Sequence, residues 1–137
     1  EGVKKDNPIH AYGKENKIKI YKNVKNMKKI LDNTHVAIVS GGTVMFESIC
    51  SGTTTFVCAT YPHQNFAIKY FKRKKIINDI GSINYIKPII LKKYFESPLQ
   101  IQKNYKKFFL KRIQEVDGRG LLRVRKIICE YINDSKY

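Results

Sequence analysis

A short apolar run that ends in two glycines constrains the fold most strongly. Residues 35–42 read HVAIVSGG, and the helix-like stretch TVMFESICSG follows at once at 43–52. A continuous apolar run of this length is typical of a strand that is buried on both faces of a sheet. A second such run, TTTFVCA, follows at 53–59. Strand, helix and strand in this order predict a parallel sheet with crossover helices.

The rest of the chain extends this alternation. Apolar periodicity predicts strands at 17–24 and 75–81, and helices at 24–33, 64–74, 97–115 and 121–132. Gly52 is the expected cap at the end of the helix over 43–52. Residues 1–16 are polar and are expected to form a loop or a cut end. We therefore expect one α/β domain over residues 1–137, with a Rossmann-like parallel sheet and a helical C-terminal part over 97–133.

The formal net charge of +16 raises the question of an anionic partner. The chain contains 22 Lys, 19 Ile and 10 Asn but only 5 Arg, and the lysines are scattered over its whole length. An AT-rich coding bias produces this mixture without selecting a partner, so a solvated basic surface is the favoured interpretation. Binding of a nucleic acid, of an acidic partner or of an anionic membrane surface remains the alternative.

Cysteine and histidine give no sign of a metal site. The three cysteines have no C-x-x-C spacing and lie in apolar contexts, which predicts buried reduced thiols and a cytoplasmic setting; they are Cys50, Cys58 and Cys129. The three histidines share no ligand-like spacing with them or with one another. We expect no metal and no cofactor.

No apolar run is long enough to span a membrane, and no signal peptide is visible.

The paired glycines are placed where a parallel sheet binds ligands, beyond the carboxyl end of a strand. Gly41 and Gly42, after Ser40, would allow a positive φ and the close approach of a ligand. The helix that follows offers free N–H groups and a positive dipole end to a phosphate, with the Thr43 hydroxyl beside them. Glu47 lies one turn further on and could accept hydrogen bonds from the vicinal diol of a ribose.

Two simpler explanations compete with this hypothesis. A capping box would need its acidic residue three positions after Thr43, where Phe46 stands, so Glu47 does not fit that motif. The other explanation, that the glycines only form a turn, stays open on the residues alone.

The pattern SGGTxxxE, followed by a strand and by His-Gln-Asn, resembles the C-terminal half of GT-B-fold enzymes that use nucleotide sugars. Within that fold the chain is similar to the peptidoglycan glucosaminyltransferase. It looks nearer to the UDP-sugar hydrolases of pseudaminic acid synthesis and the related spore-coat polysaccharide proteins. The tail VDGRGLLRVRKII at 116–128 is similar to the closing D-G-x-G-x-x-R-V segment of those hydrolases. The resemblance covers roughly residues 17–132.

The resemblance implies that Gly41, Gly42 and Thr43 hold the diphosphate and that Glu47 holds the ribose. It also implies that residues 63–65 line the sugar or phosphate side of the cleft; these are His63, Gln64 and Asn65. His63 is the one candidate for a catalytic acid or base, and a hydrogen bond to a phosphate is its alternative role.

Three departures from the family pattern matter. Val44 stands where these families often have a second Ser or Thr. The Gly-rich first strand of this half is absent. So is the N-terminal domain, where the hydrolases carry their catalytic histidine. We therefore expect a nucleotide-binding half that lacks its first βα units, is inactive alone, and belongs to a UDP-sugar hydrolase or, alternatively, to a glycosyltransferase.

Overall fold

A computed structural model describes residues 18–96 and 108–134 of the chain. Four strands form one sheet in the order β1-β2-β3-β4; they are β1 (Val36–Ser40), β2 (Thr54–Ala59), β3 (Ile77–Ser82) and β4 (Tyr85–Ile86). The first three strands are mutually parallel, and β4 returns antiparallel to β3. The predicted α/β class with a mostly parallel sheet is confirmed.

Helices connect and flank these strands. They are α1 (Met27–Leu31), α2 (Thr43–Cys50), α3 (Asn65–Arg73), α4 (Pro88–Phe95), α5 (108–115) and α6 (Gly120–Asp134), and a 3₁₀ turn at Pro62–Gln64 leads into α3. Gly52 has a φ of +72° just after α2, as expected for the residue that ends a helix in the left-handed conformation. Of the helix predicted over 97–115, residues 97–107 lie outside the described part.

The two faces of the sheet are covered by different helices. On one face, α2 and α3 pack against β2 and β3 through buried side chains that include Met45, Ile49, Ile68 and Phe71. On the other face, Ile90 and Leu91 of α4 pack against a smaller cluster around Phe56. All six residues of β2 are buried, as predicted for this strand.

The prediction that β1 is buried on both faces is wrong. Ile38 is 56% exposed, whereas Val39 packs against the α2–α3 side of the sheet. The cause is the strand order: β1 lies at the edge of the described sheet, and α4 covers the centre of the opposite face without reaching Ile38.

The strand predicted at 17–24 is also wrong over its described part. Residues 18–22 have no regular structure and pair with no described strand. Asn23 has a φ of 49°, a left-handed conformation that interrupts an extended backbone. The alternation of Ile18 and Ile20 was therefore misleading, and Ile18 remains 52% exposed.

Two elements were missed. No strand at β4 and no helix at α4 was predicted, although Pro88 at the first position of α4 is a typical helix start. The cysteine prediction is correct for Cys58, which is buried, and wrong for Cys129, which is exposed on α6. All described residues of α6 are in fact exposed.

Within residues 18–96 and 108–134, no helix is both long and apolar enough to cross a membrane.

Candidate functional site

The predicted site residues gather at the edge of the sheet where the parallel strands end. Ser40, the last residue of β1, pairs with Cys58 near the end of β2. The loops that follow the two strands, Gly41–Gly42 and 60–64, therefore leave the sheet side by side. This is the edge at which open α/β sheets bind their ligands.

Gly41 has a packing role. A Cβ at this buried glycine would lie 2.7 Å from Cδ1 of Ile68 and 3.0 Å from Cβ of Gln64. The bare backbone thus lets α3 pack closely against the end of β1. Neither Gly41 nor Gly42 has a positive φ, so the expectation that the glycines serve a left-handed turn is wrong.

Gly42 differs from its neighbour because a side chain would fit there. It is the N-cap of α2, with φ −97° and ψ −154°, and no side chain caps the helix. A Cβ on Gly42 would meet Ser40 Oγ at 3.7 Å and Gln64 Nε2 at 3.8 Å, which are ordinary contact distances. A hydroxyl and an amide therefore flank the bare start of α2, where the first N–H groups of a helix have no partner within it.

Gln64 is held in place by the loop that it terminates. Its side chain is almost fully buried, and Oε1 accepts hydrogen bonds from Thr60 N at 2.9 Å, Thr60 Oγ1 at 3.0 Å and Tyr61 N at 3.3 Å. Because these three donors fix the oxygen end of the amide, the Nε2 end is directed toward Gly42. Gln64 thus presents a donor beside the start of α2, as an anion site requires.

Three other predicted residues lie on the open surface around this turn. Thr43 is the exposed first residue of α2, and Asn65 is the exposed first residue of α3. The His63 ring is exposed and stacks on the Tyr61 ring, with 5.8 Å between the ring centroids. This part of the site is an open face and not an enclosed cavity.

Glu47 lies in a cleft next to the turn. It is exposed on α2, one helical turn after Thr43, and faces a cleft of about 460 Å³. The cleft has apolar walls and two cationic side chains; its lining includes Met27, Phe46, Val116, Lys25 and Lys28. Its volume is in the range of small-molecule sites. The turn residues 40–43 and residues 63–65 do not line it, so the predicted residues form two adjacent groups joined by α2.

The segment that carries the second resemblance borders the same cleft. Gly118 lines the cleft, and a Cβ on it would lie 3.1 Å from Cys50 Sγ. Asp117 accepts two hydrogen bonds from the Arg123 guanidinium, at 2.7 Å and 2.9 Å, and one from Arg119 N at 3.0 Å. These donors hold the pKa of the Asp117 carboxyl well below its usual range, the Arg123 guanidinium most strongly. Since α6 begins at Gly120, Asp117 lies three residues before the helix and fixes the loop that leads into it.

The described residues offer no metal centre. In residues 18–96 and 108–134, no three or more His, Cys, Asp and Glu side chains come together in a way that could hold a metal ion. Cys58 is buried beneath the carboxyl edge, and burial, together with the charge of Asp79, raises the pKa of its thiol.

Comparison with known proteins gives little support for any family. No family model matches the chain. No solved structure matches it significantly. Among curated proteins, the chain is similar to the uncharacterized protein MJ1062 of Methanocaldococcus jannaschii, with 38% identity over 52 residues. The match covers 38% of this chain and 11% of the relative, so the chain spans about a tenth of the length of the protein it matches.

Proposed function

We propose that the carboxyl edge of the sheet binds a nucleotide sugar, with UDP as the nucleotide. The diphosphate lies at the start of α2, over Gly42, and accepts hydrogen bonds from the helix N–H groups, Gln64 Nε2 and the Thr43 hydroxyl. The ribose lies one turn away, where its two hydroxyls donate to the Glu47 carboxylate. The base extends along the apolar wall of the Glu47 cleft.

The observation that carries this proposal is the difference between the two glycines. Close packing against Ile68 explains why residue 41 is a glycine. At Gly42 a side chain would fit, and the φ of −97° does not require a glycine. A Ser or Asp at an N-cap stabilises a helix somewhat more than Gly does. The close approach of a ligand to the backbone gives a further reason for a residue without a side chain at this N-cap.

In the reaction that we propose, this site stabilises the leaving group. The developing charge on the departing diphosphate is met by oriented N–H groups and by the positive end of the α2 dipole. A second domain closes over the open face at Thr43, His63 and Asn65 and brings the nucleophile. Water as the nucleophile makes the whole protein a hydrolase, which the DGRG segment favours; an acceptor hydroxyl makes it a glycosyltransferase.

A titration of the chain with UDP, followed by backbone amide NMR shifts, tests the proposal. We expect saturable shifts centred on residues 41–47 and 64, which weaken in Glu47→Ala. As a matched control, Glu130→Ala removes an exposed carboxylate from α6 and should leave the shifts unchanged. Shifts spread over the scattered lysines, equal in both variants and abolished by salt, would instead indicate a basic surface that binds polyanions.

A further inference from the structure

A separate cavity lies at the opposite edge of the sheet, where β2 and β3 begin. Its volume is about 210 Å³, and it lies between the end of α3 and α5 and is partly open to solvent. Its polar lining comes from Thr54, Asn78, Lys72, Lys75 and Arg112, and Phe108 supplies an apolar wall. The glycine turn and Glu47 do not contribute to it.

The charged groups that line this cavity are all positive. Lys72 Nζ donates to Asp79 Oδ2 at 2.8 Å, which offsets one of the three charges. Lys75 has no ion-pair partner within the described ranges, and no carboxylate lines the cavity. Lysine and arginine side chains offer only hydrogen-bond donors, so this lining suits an anion.

Arg112 is positioned by the backbone of two neighbouring segments. Only 2% of its surface is exposed; its Nε donates to Ile76 O and its Nη1 to Gly52 O, each at 3.3 Å. The guanidinium keeps its charge at all ordinary pH values and presents several donors in a rigid plane. The cavity therefore contains a cation whose orientation is fixed before any ligand binds.

Lys75 occupies a position that favours glycine. It follows Lys74, the C-cap of α3, and its φ is 59°. Helices commonly end with glycine in this left-handed conformation, and a residue with a Cβ is disfavoured there. The backbone conformation therefore does not favour a lysine at this position. The lysine side chain, however, lines the cavity.

Thr54 adds a buried polar atom that lacks a partner. The residue is 1% exposed, and its Oγ1 is buried without a hydrogen bond to any described residue. A buried hydroxyl of this kind is destabilising unless something accepts or donates a hydrogen bond. Thr54 is one of the residues that line the cavity, so this unpaired hydroxyl lies next to the space that a ligand would occupy.

We propose that this cavity binds a small oxyanion of the phosphate class. The volume holds an ion of that size but leaves no space for a nucleotide. Lys75 and Arg112 neutralise the charge, and Asn78 and the Thr54 hydroxyl complete the donor set. The site is independent of the nucleotide site proposed above, which lies at the other edge of the sheet.

The test is a titration of the chain with inorganic phosphate, compared with chloride at equal ionic strength and followed by amide NMR shifts. We expect saturable, phosphate-specific shifts at residues 54, 75–78 and 112. In Lys75→Gly, the affinity should fall roughly tenfold or more, because a charge-assisted hydrogen bond is lost. Without phosphate this variant should melt no lower than the wild type, because glycine relieves the left-handed conformation.

Lys69→Ala is the charge-matched control, since Lys69 is exposed on α3 and does not line the cavity. Its phosphate affinity should equal that of the wild type. Equal effects of phosphate and chloride, or equal losses in Lys69→Ala and Lys75→Gly, would overturn the proposal. Glycerol 3-phosphate distinguishes the two sources of the anion: binding equal to that of phosphate indicates a phosphomonoester end, and weaker binding indicates the free ion. Both results support the site.

Discussion

At the residue scale, adjacent glycines at the end of β1 serve different purposes. A methyl group on Gly41 would lie 2.7 Å from Ile68 Cδ1, closer than a stable contact allows. We expect Gly41→Ala to lower the free energy of unfolding by about 1–3 kcal/mol, as overpacking of a core does. Urea unfolding monitored by circular dichroism measures this, and a change below about 0.5 kcal/mol would contradict the packing role.

Gly42→Ala is the complementary substitution. The added methyl group meets its neighbours no closer than 3.7 Å, so we expect no overpacking, and the loss of a favourable N-cap residue should lower the free energy of unfolding by only about 1 kcal/mol. The same methyl group would stand over the N–H groups at the start of α2 and should weaken UDP binding severalfold. A stable Gly42→Ala protein that binds UDP as tightly as the wild type would show that the turn does not contact the diphosphate.

Thr54 offers a prediction about stability in the absence of any ligand. Its Oγ1 is buried and has no hydrogen bond among the described residues. Thr54→Val replaces this hydroxyl with a methyl group, so we expect the free energy of unfolding to rise by about 1 kcal/mol in chloride buffer. In phosphate buffer the stability gain of Thr54→Val should be smaller, because the bound phosphate gives the wild-type Thr54 hydroxyl a hydrogen-bond partner. Thermal melting in the two buffers measures both effects, and a loss of stability in chloride would contradict them.

At the scale of elements, the start of α6 depends on one carboxylate. Asp117 accepts hydrogen bonds from the Arg123 guanidinium and from Arg119 N, and its pKa is lowered in the folded protein. A lowered pKa means that the stabilisation is fully present above the unfolded value of 3.8 and is lost as the pH falls through the lower folded value.

Amide hydrogen exchange at the start of α6 measures this dependence. We expect protection at residues 123–126, whose N–H groups make the first hydrogen bonds of the helix, to decline as the pH falls below about 4, after correction for the intrinsic exchange rate. Asp117→Asn should show low protection at every pH, and Glu130→Gln, which changes an exposed carboxylate further along α6, should retain the wild-type profile. Protection that is independent of pH in the wild type would mean that Asp117 does not hold the loop.

The elements that the sequence predicts correctly are those that local pattern determines. β2 and the helix Thr43–Cys50 were placed within about two residues, because a β-branched run and a helical apolar face each specify their own structure. The strand predicted at 17–24 failed because alternation alone cannot supply a partner strand. Ile38 was expected to be buried, but strand order is a property of the whole sheet and no local pattern reports it.

Some features of the candidate site could likewise be predicted from the sequence, and others could not. Glycines before a helix were visible in the sequence, and so was the position of Glu47 one turn later. The separate functions of Gly41 and Gly42 were not visible, because Ile68 lies 27 positions away and approaches Gly41 only through α3 packing. Arg112 carried no local signal either, since its carbonyl partners belong to two distant segments.

At the scale of the whole molecule, a net charge of +16 attracts any anion, so binding alone does not establish a site. A nucleotide site has to discriminate between anions of equal charge. In the proposed nucleotide site the ribose hydroxyls donate to Glu47, whereas a basic surface responds only to the phosphates. Discrimination between two sugars on the same diphosphate is therefore the property to examine.

The most direct measurement is the dissociation constant of UDP and of 2′-deoxyUDP for the wild type and for Glu47→Gln, taken from NMR titrations at constant ionic strength. In the wild type we expect UDP to bind roughly tenfold more tightly than 2′-deoxyUDP, because a hydrogen bond to a charged group is lost with the 2′-hydroxyl. In Glu47→Gln the preference should largely disappear. Equal affinities for both nucleotides in the wild type would contradict the assignment of Glu47 to the ribose, and with it the nucleotide site.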